Sequence, residues 1–89
     1  MGNEYKQVDK SILYKLSLAL KPTALRLYLY MYSQSDVTGK VDTSYTLITK
    51  DLGIARSTIS RAMIEMVDAD LLEIKLNTGV NSEYLIKLP

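Results

Sequence analysis

Apolar residues recur every three or four positions through most of the chain and every second position near its end, a change of period that separates helices from strands. The first helical stretch, about Asp9 to Leu20, begins at an aspartate able to cap it and places Ile12, Leu13, Leu16 and Leu20 on one stripe. Pro22 stands where a first helical position tolerates proline, and Thr23 to Tyr32 continues as a second helix. A short strand at Lys40-Val41-Asp42 follows a loop at Gly39, with Thr43 or Ser44 as the cap of the next element. From Ser44 to Asp70 the run SYTLITKDLGIARSTISRAMIEMVDAD divides into two short amphipathic helices. Ile48 and Leu52 lie one turn apart in the first, Gly53 ends it, and Ile54 fills the angle. In the second, Ile59, Ala62, Met63 and Met66 turn inward. Alternation then predicts strands at about Leu72 to Leu76 and Tyr84 to Leu88, joined by a tip at Gly79. Leu72, Ile74 and Leu76 share one face, as do Tyr84, Ile86 and Leu88, while charges on Glu73, Lys75 and Lys87 can meet across the pair. The predicted fold class is mainly α with a small antiparallel β-sheet, in the order helix, helix, short strand, helix, helix, strand, strand.

The second of the paired helices directs Arg56, Ser57, Ser60 and Arg61 away from its apolar side. Arginine can fork onto guanine and serine bonds base edges or phosphate, so this face suits the floor of a DNA major groove. The run Asp51-Leu52-Gly53-Ile54-Ala55-Arg56-Ser57-Thr58-Ile59-Ser60-Arg61-Ala62, followed by Leu71-Leu72-Glu73-Ile74, resembles the core signature of winged helix-turn-helix DNA-binding proteins. The resemblance covers roughly the C-terminal half and implies a winged helix-turn-helix with an extra N-terminal helix. It implies that the second helix enters the major groove while the hairpin touches the neighbouring backbone or minor groove. The residues expected at DNA are Ser44, Tyr45, Lys50, Arg56, Ser57, Thr58, Ser60, Arg61, Lys75, Asn77, Thr78 and Asn81. Two departures bear on this: Ala55 stands where the family often has a capping serine, leaving capping to Ser57 or weak, and the hairpin tip carries no arginine or lysine.

The helix around Ala24 to Tyr32 is apolar nearly all round. Leu25, Tyr28, Leu29 and Tyr32 form one face, and Leu27, Tyr30 and Met31 a second. The preceding helix also carries Tyr14 and Leu18 off its main stripe. A homodimer built on these helices would hide the surplus, with Tyr14, Leu18, Leu27, Tyr30 and Met31 at the interface. The alternative is that the two helices pack on each other in a monomer. Tyr28, Tyr30 and Tyr32 alternate as stacking platforms for single strands would, but a helix turns Tyr30 away from the other two, which favours packing.

A chain of 89 residues is expected to form one domain over 1–89, with residues 1–8 flexible. It holds no cysteine and no histidine, which removes disulfides, the usual zinc ligands and the commonest general base. With no phosphate-cradling glycine loop either, neither enzymatic chemistry nor a cofactor is expected. The chain lacks a secretory signal and any apolar run able to span a bilayer, so the expectation is a cytoplasmic protein with no membrane partner. Net charge is only +1, which argues against a strong electrostatic hold on DNA, yet Lys40, Lys50, Arg56 and Arg61 flank the reading face while Glu65, Asp68, Asp70 and Glu73 gather beyond it. The leading expectation is sequence-specific binding of double-stranded DNA as a dimer, in transcription regulation or the organisation of a DNA locus. The alternatives are a centromere-binding adaptor of plasmid partition that spreads on DNA with a partition partner, and a protein-binding winged-helix adaptor.

Overall fold

The computed structural model describes residues 9–75 and 82–89, and the elements among them follow the expected order. They are α1 (Lys10–Ala19), α2 (Pro22–Gln34), β1 (Lys40–Val41), α3 (Tyr45–Leu52), α4 (Arg56–Asp68), β2 (Leu72–Lys75) and β3 (Glu83–Ile86). The molecule is mainly helical, with a three-stranded antiparallel sheet in the order β1-β3-β2. Among the described residues no helix is long and apolar enough to cross a membrane.

α2 occupies the centre, packed against α1, α4, β1 and β3. Pro22 presets the backbone at its first position, and Ala24, Leu27, Tyr28 and Met31 fall at the spacing that aligns four side chains on one side of a helix. None of the four is more than 1% exposed. The Tyr28 hydroxyl donates to the Lys87 carbonyl at 2.7 Å, and burial, reinforced by Tyr32, pushes its pKa up to about 12. Its ring stacks on that of Tyr32 with centroids 6.2 Å apart, which makes these tyrosines packing groups.

This placement corrects part of the expected dimer interface. Leu27 and Met31 are both 0% exposed, because α4 and the sheet cover the side of α2 that sequence alone left unassigned. Neither is available to a second subunit. Tyr30 is half-buried and donates to Asp51 of α3 at 2.6 Å; that bond first, and burial second, hold its phenol above the usual pKa. Its polar end is therefore engaged within the chain.

α1 is far less embedded. Within it only Leu16 is buried, and Leu20 just beyond it is the next residue to be so. Leu13 leaves the expected stripe at 46% exposure, since α1 packs on α2 alone among the elements. Tyr14 and Leu18 stand out at 66% and 70%. Asp9 is at the cap position, but its carboxylate accepts from the Ser11 hydroxyl at 3.3 Å and caps no backbone N–H.

The sheet closes the other side of the core with Leu72, Tyr84 and Ile86 buried and Ile74 half-buried. β2 is described as far as Lys75, while β3 starts one residue before the expected Tyr84 and stops at Ile86, leaving Leu88 past the ladder and exposed. Leu76 and the Gly79 tip lie outside the described residues, as do residues 1–8 with their expected flexibility. Lys75 is in register with Glu83, whereas Lys87 reaches Asp70 at 3.0 Å. Gly39 is required where β1 begins: its φ is +89°, and a Cβ there would sit 2.6 Å from the Ile86 carbonyl oxygen. Its own carbonyl accepts from the Ile86 N–H at 2.8 Å, extending the β1–β3 pairing.

Candidate nucleic-acid interface

The two helices of the Ser44–Asp70 segment are closed to different degrees. Ser44 caps α3, its hydroxyl accepting from the Leu47 N–H at 3.2 Å, and Gly53 ends that helix in the left-handed conformation at φ 69°. α4 begins after Ala55 with no side-chain cap. Of the two expectations, capping by Ser57 or weak capping, the second holds, because a hydroxyl already inside the first turn does not reach the cap geometry. The first-turn N–H groups of α4 thus lie at the positive end of the helix dipole, where a phosphate is favoured.

The inward side of α4 is Ile59, Ala62, Met63 and Met66, none more than 4% exposed, so both methionines are core filling. This fixes the outward side. Arg56, Ser57 and Arg61 are exposed, while Thr58 and Ser60 are half-buried on its flanks. Arg56 is held from α3: its Nη2 donates to the Thr46 hydroxyl at 2.9 Å, and its guanidinium carbon lies 5.9 Å from the centroid of the Tyr45 ring. The Tyr45 hydroxyl in turn lies 3.1 Å from that of Ser60. Ser60 and Tyr45 therefore face each other, and their polar atoms serve the joint between α3 and α4 as well as any ligand.

Arg61 is different. It has no hydrogen bond or ion pair among the described residues, and it borders an open groove between the end of α1 and α4 together with Leu18, Lys21, Ile64, Glu65 and Asp68. Glu65 is engaged there, accepting from the Lys21 N–H at 2.6 Å. Lys50 is exposed in the last turn of α3, one turn beyond Thr46. Lys75 is exposed at the end of β2, in register with Glu83. Asn77, Thr78 and Asn81 lie outside the described residues. The structure thus brings Ser44, Tyr45, Arg56 and Ser60 into one neighbourhood, with Ser57 and Arg61 on the adjoining outward turns.

Thr46 was not among the residues expected from sequence. Its signal is faint, since its partner Arg56 is ten residues away across the glycine turn and only the crossing of the helices joins them. The charges of α4 also run against its dipole. Arginine occupies its first position and aspartate its last, with no acid in the first turn and no base in the last. Such an order does not favour the helix and suits an external anion at its start.

The chain matches no protein-family model, no curated protein and no solved structure.

Proposed function

We propose that the chain is a winged helix-turn-helix protein that binds double-stranded DNA sequence-specifically, with α4 as the recognition helix. The observation that carries this reading is the outward side of α4: two arginines and a serine project from its first two turns, its start is uncapped, and one arginine is already oriented by α3. Phosphate would be met by the open N–H groups and Arg61, and base edges by Arg56 and Ser57. Titration of a fluorescent duplex by anisotropy at several salt concentrations tests it. Binding that weakens as salt rises is the expected result, and absence of binding at low salt overturns the reading.

Assembly follows the surface that the fold leaves open. With Leu27 and Met31 in the core, the proposed dimer rests on α1 through Tyr14 and Leu18, one helical turn apart and both mostly exposed. Two recognition helices related by symmetry then read half-sites about one DNA turn, or 10 base pairs, apart. Sedimentation velocity should give a dimer for the native chain and a folded monomer for Leu18→Lys; a native monomer at tens of micromolar ends the dimer model. Isolated paired half-sites among bound fragments favour transcription regulation, and long repeated tracts favour a partition adaptor.

One observation favours a protein-binding adaptor instead. Beyond Arg61 the outward side of α4 turns apolar and acidic, with Ile64 60% and Val67 42% exposed beside Asp68. On that reading DNA affinity is negligible at any salt, and Ile64→Lys abolishes partner binding.

A further inference from the structure

The two arginines of α4 differ in how they are held, and that difference bears on what each can recognise. Arg56 is restrained twice, by a hydrogen bond to Thr46 and by the Tyr45 ring beneath its guanidinium. A guanidinium has five N–H donors, so the one directed at Thr46 leaves a parallel pair open for an acceptor. Its direction is set before any ligand arrives. Arg61 projects from the next turn with no hydrogen bond or ion pair among the described residues, and its side chain retains its rotamer freedom. Discrimination between bases needs a donor pair fixed in direction, because a mobile side chain can rotate to another acceptor at little cost; neutralising phosphate needs only charge within reach.

We infer that Thr46 is a positioning residue that makes Arg56 the base-discriminating contact of α4, Tyr45 supporting it from below, and that Arg61 is a phosphate contact indifferent to sequence. This division of labour rests on the proposal that α4 binds DNA. Thr46 is exposed at the start of α3, outside the core, so changing it does not put folding at risk. Tyr45 is half-buried and bonded to Ser60, which makes it the less clean place to intervene.

The test is selection of bound sequences from a pool of randomised duplexes, followed by affinity measurements on the enriched duplex and on the unselected pool at matched salt. The purified chain is compared with Thr46→Val, Thr46→Ser, Arg56→Ala and Arg61→Ala. Arg56→Ala should lose the preference at one base position, with discrimination there falling roughly 5- to 150-fold. Thr46→Val should weaken preference at that same position while leaving affinity for the unselected pool nearly unchanged, and Thr46→Ser should restore it because the hydroxyl returns. Arg61→Ala should weaken all sequences alike and lower the salt slope by about one, with the selected motif unchanged. If Thr46→Val selects the native motif at full strength while Arg56→Ala does not, the positioning role is wrong and DNA reading by α4 stands. If Arg61→Ala alters the motif, the division between the arginines is wrong. A native chain that enriches no sequence from the pool overturns both the inference and the reading beneath it.

Discussion

α2 and α4 are the same length, 13 residues each, and bury four side chains at the same spacing: Ala24, Leu27, Tyr28 and Met31 in one, Ile59, Ala62, Met63 and Met66 in the other. They pack on each other, and neither has a side-chain cap of its own. They part at their starts and on their outward sides. The Lys21 N–H where α2 begins is met by the Glu65 carboxylate, and Pro22 removes another donor from its first turn. The start of α4 has no side-chain cap and carries Arg56 and Ser57. An identical inward pattern thus supports a scaffold helix and a helix proposed to meet DNA; the distinction lies in what is left facing out.

The largest effects should treat the two helices alike. Leu27→Ala and Ile59→Ala each remove most of a side chain that is 0% exposed, and each should cost about 2 to 5 kcal/mol in urea denaturation. A loss under 1 kcal/mol at either position would break the equivalence of the two inward stripes.

The next effect singles out α2, whose inward stripe alone contains a titratable group. The Tyr28 pKa is raised from 10.0 to about 12, so folding favours the protonated phenol. Its contribution is complete below pH 10 and is lost as pH rises toward 12, about 3 kcal/mol in all. Denaturant midpoints across that interval should fall for the native chain and fall less for Tyr28→Phe. Equal slopes in the two would remove Tyr28 as the cause.

Outward changes should separate the helices. Arg56→Ala is expected to weaken the DNA complex by about 1 to 3 kcal/mol with stability within about 0.5 kcal/mol of native, whereas Arg26→Ala on the exposed side of α2 should change neither. Equal effects on DNA binding would mean that α4 is no more the reader than α2.

The smallest effect concerns the open start. Ala55→Asp supplies the cap that α4 lacks and should add about 0.5 to 1 kcal/mol of stability, seen as a raised denaturation midpoint, while lowering DNA affinity by setting a carboxylate at the proposed phosphate position. Stabilisation with unchanged affinity would place phosphate elsewhere.

The order of elements, the inward stripe of α4, a cap at Thr43 or Ser44 and the Gly53 terminus were legible in sequence because each is a local signal: a period, a cap residue or a left-handed glycine. The orientation of α2 was not. A helix apolar all round carries no polar side to turn it, so Leu27 and Met31 were set at an interface when only the positions of α4 and the sheet decide that they lie inside. α1 erred the other way, since the period that gathers Leu13 with Leu16 says nothing of how many neighbours will cover them. At the candidate interface Arg56 and Arg61 were legible as outward residues, but their inequality was not, because it depends on Thr46 and Tyr45 meeting Arg56 across the turn. Lys87 was expected to meet charge across the strand pair, but its partner is Asp70, ahead of β2, which raises its pKa through that hydrogen bond and charge.

The most direct test of the claim that α4 reads DNA is a two-dimensional amide NMR titration of the 15N-labelled chain with a duplex at moderate salt. The account predicts the largest shifts at Thr46 and Leu47 at the start of α3 and at Ser57, Ser60 and Arg61 on α4, with Ser11 on the exposed side of α1 and Arg26 on α2 unmoved. Shifts centred on α1 or on the later outward turns at Ile64 and Asp68, with the first turns of α4 silent, would contradict it.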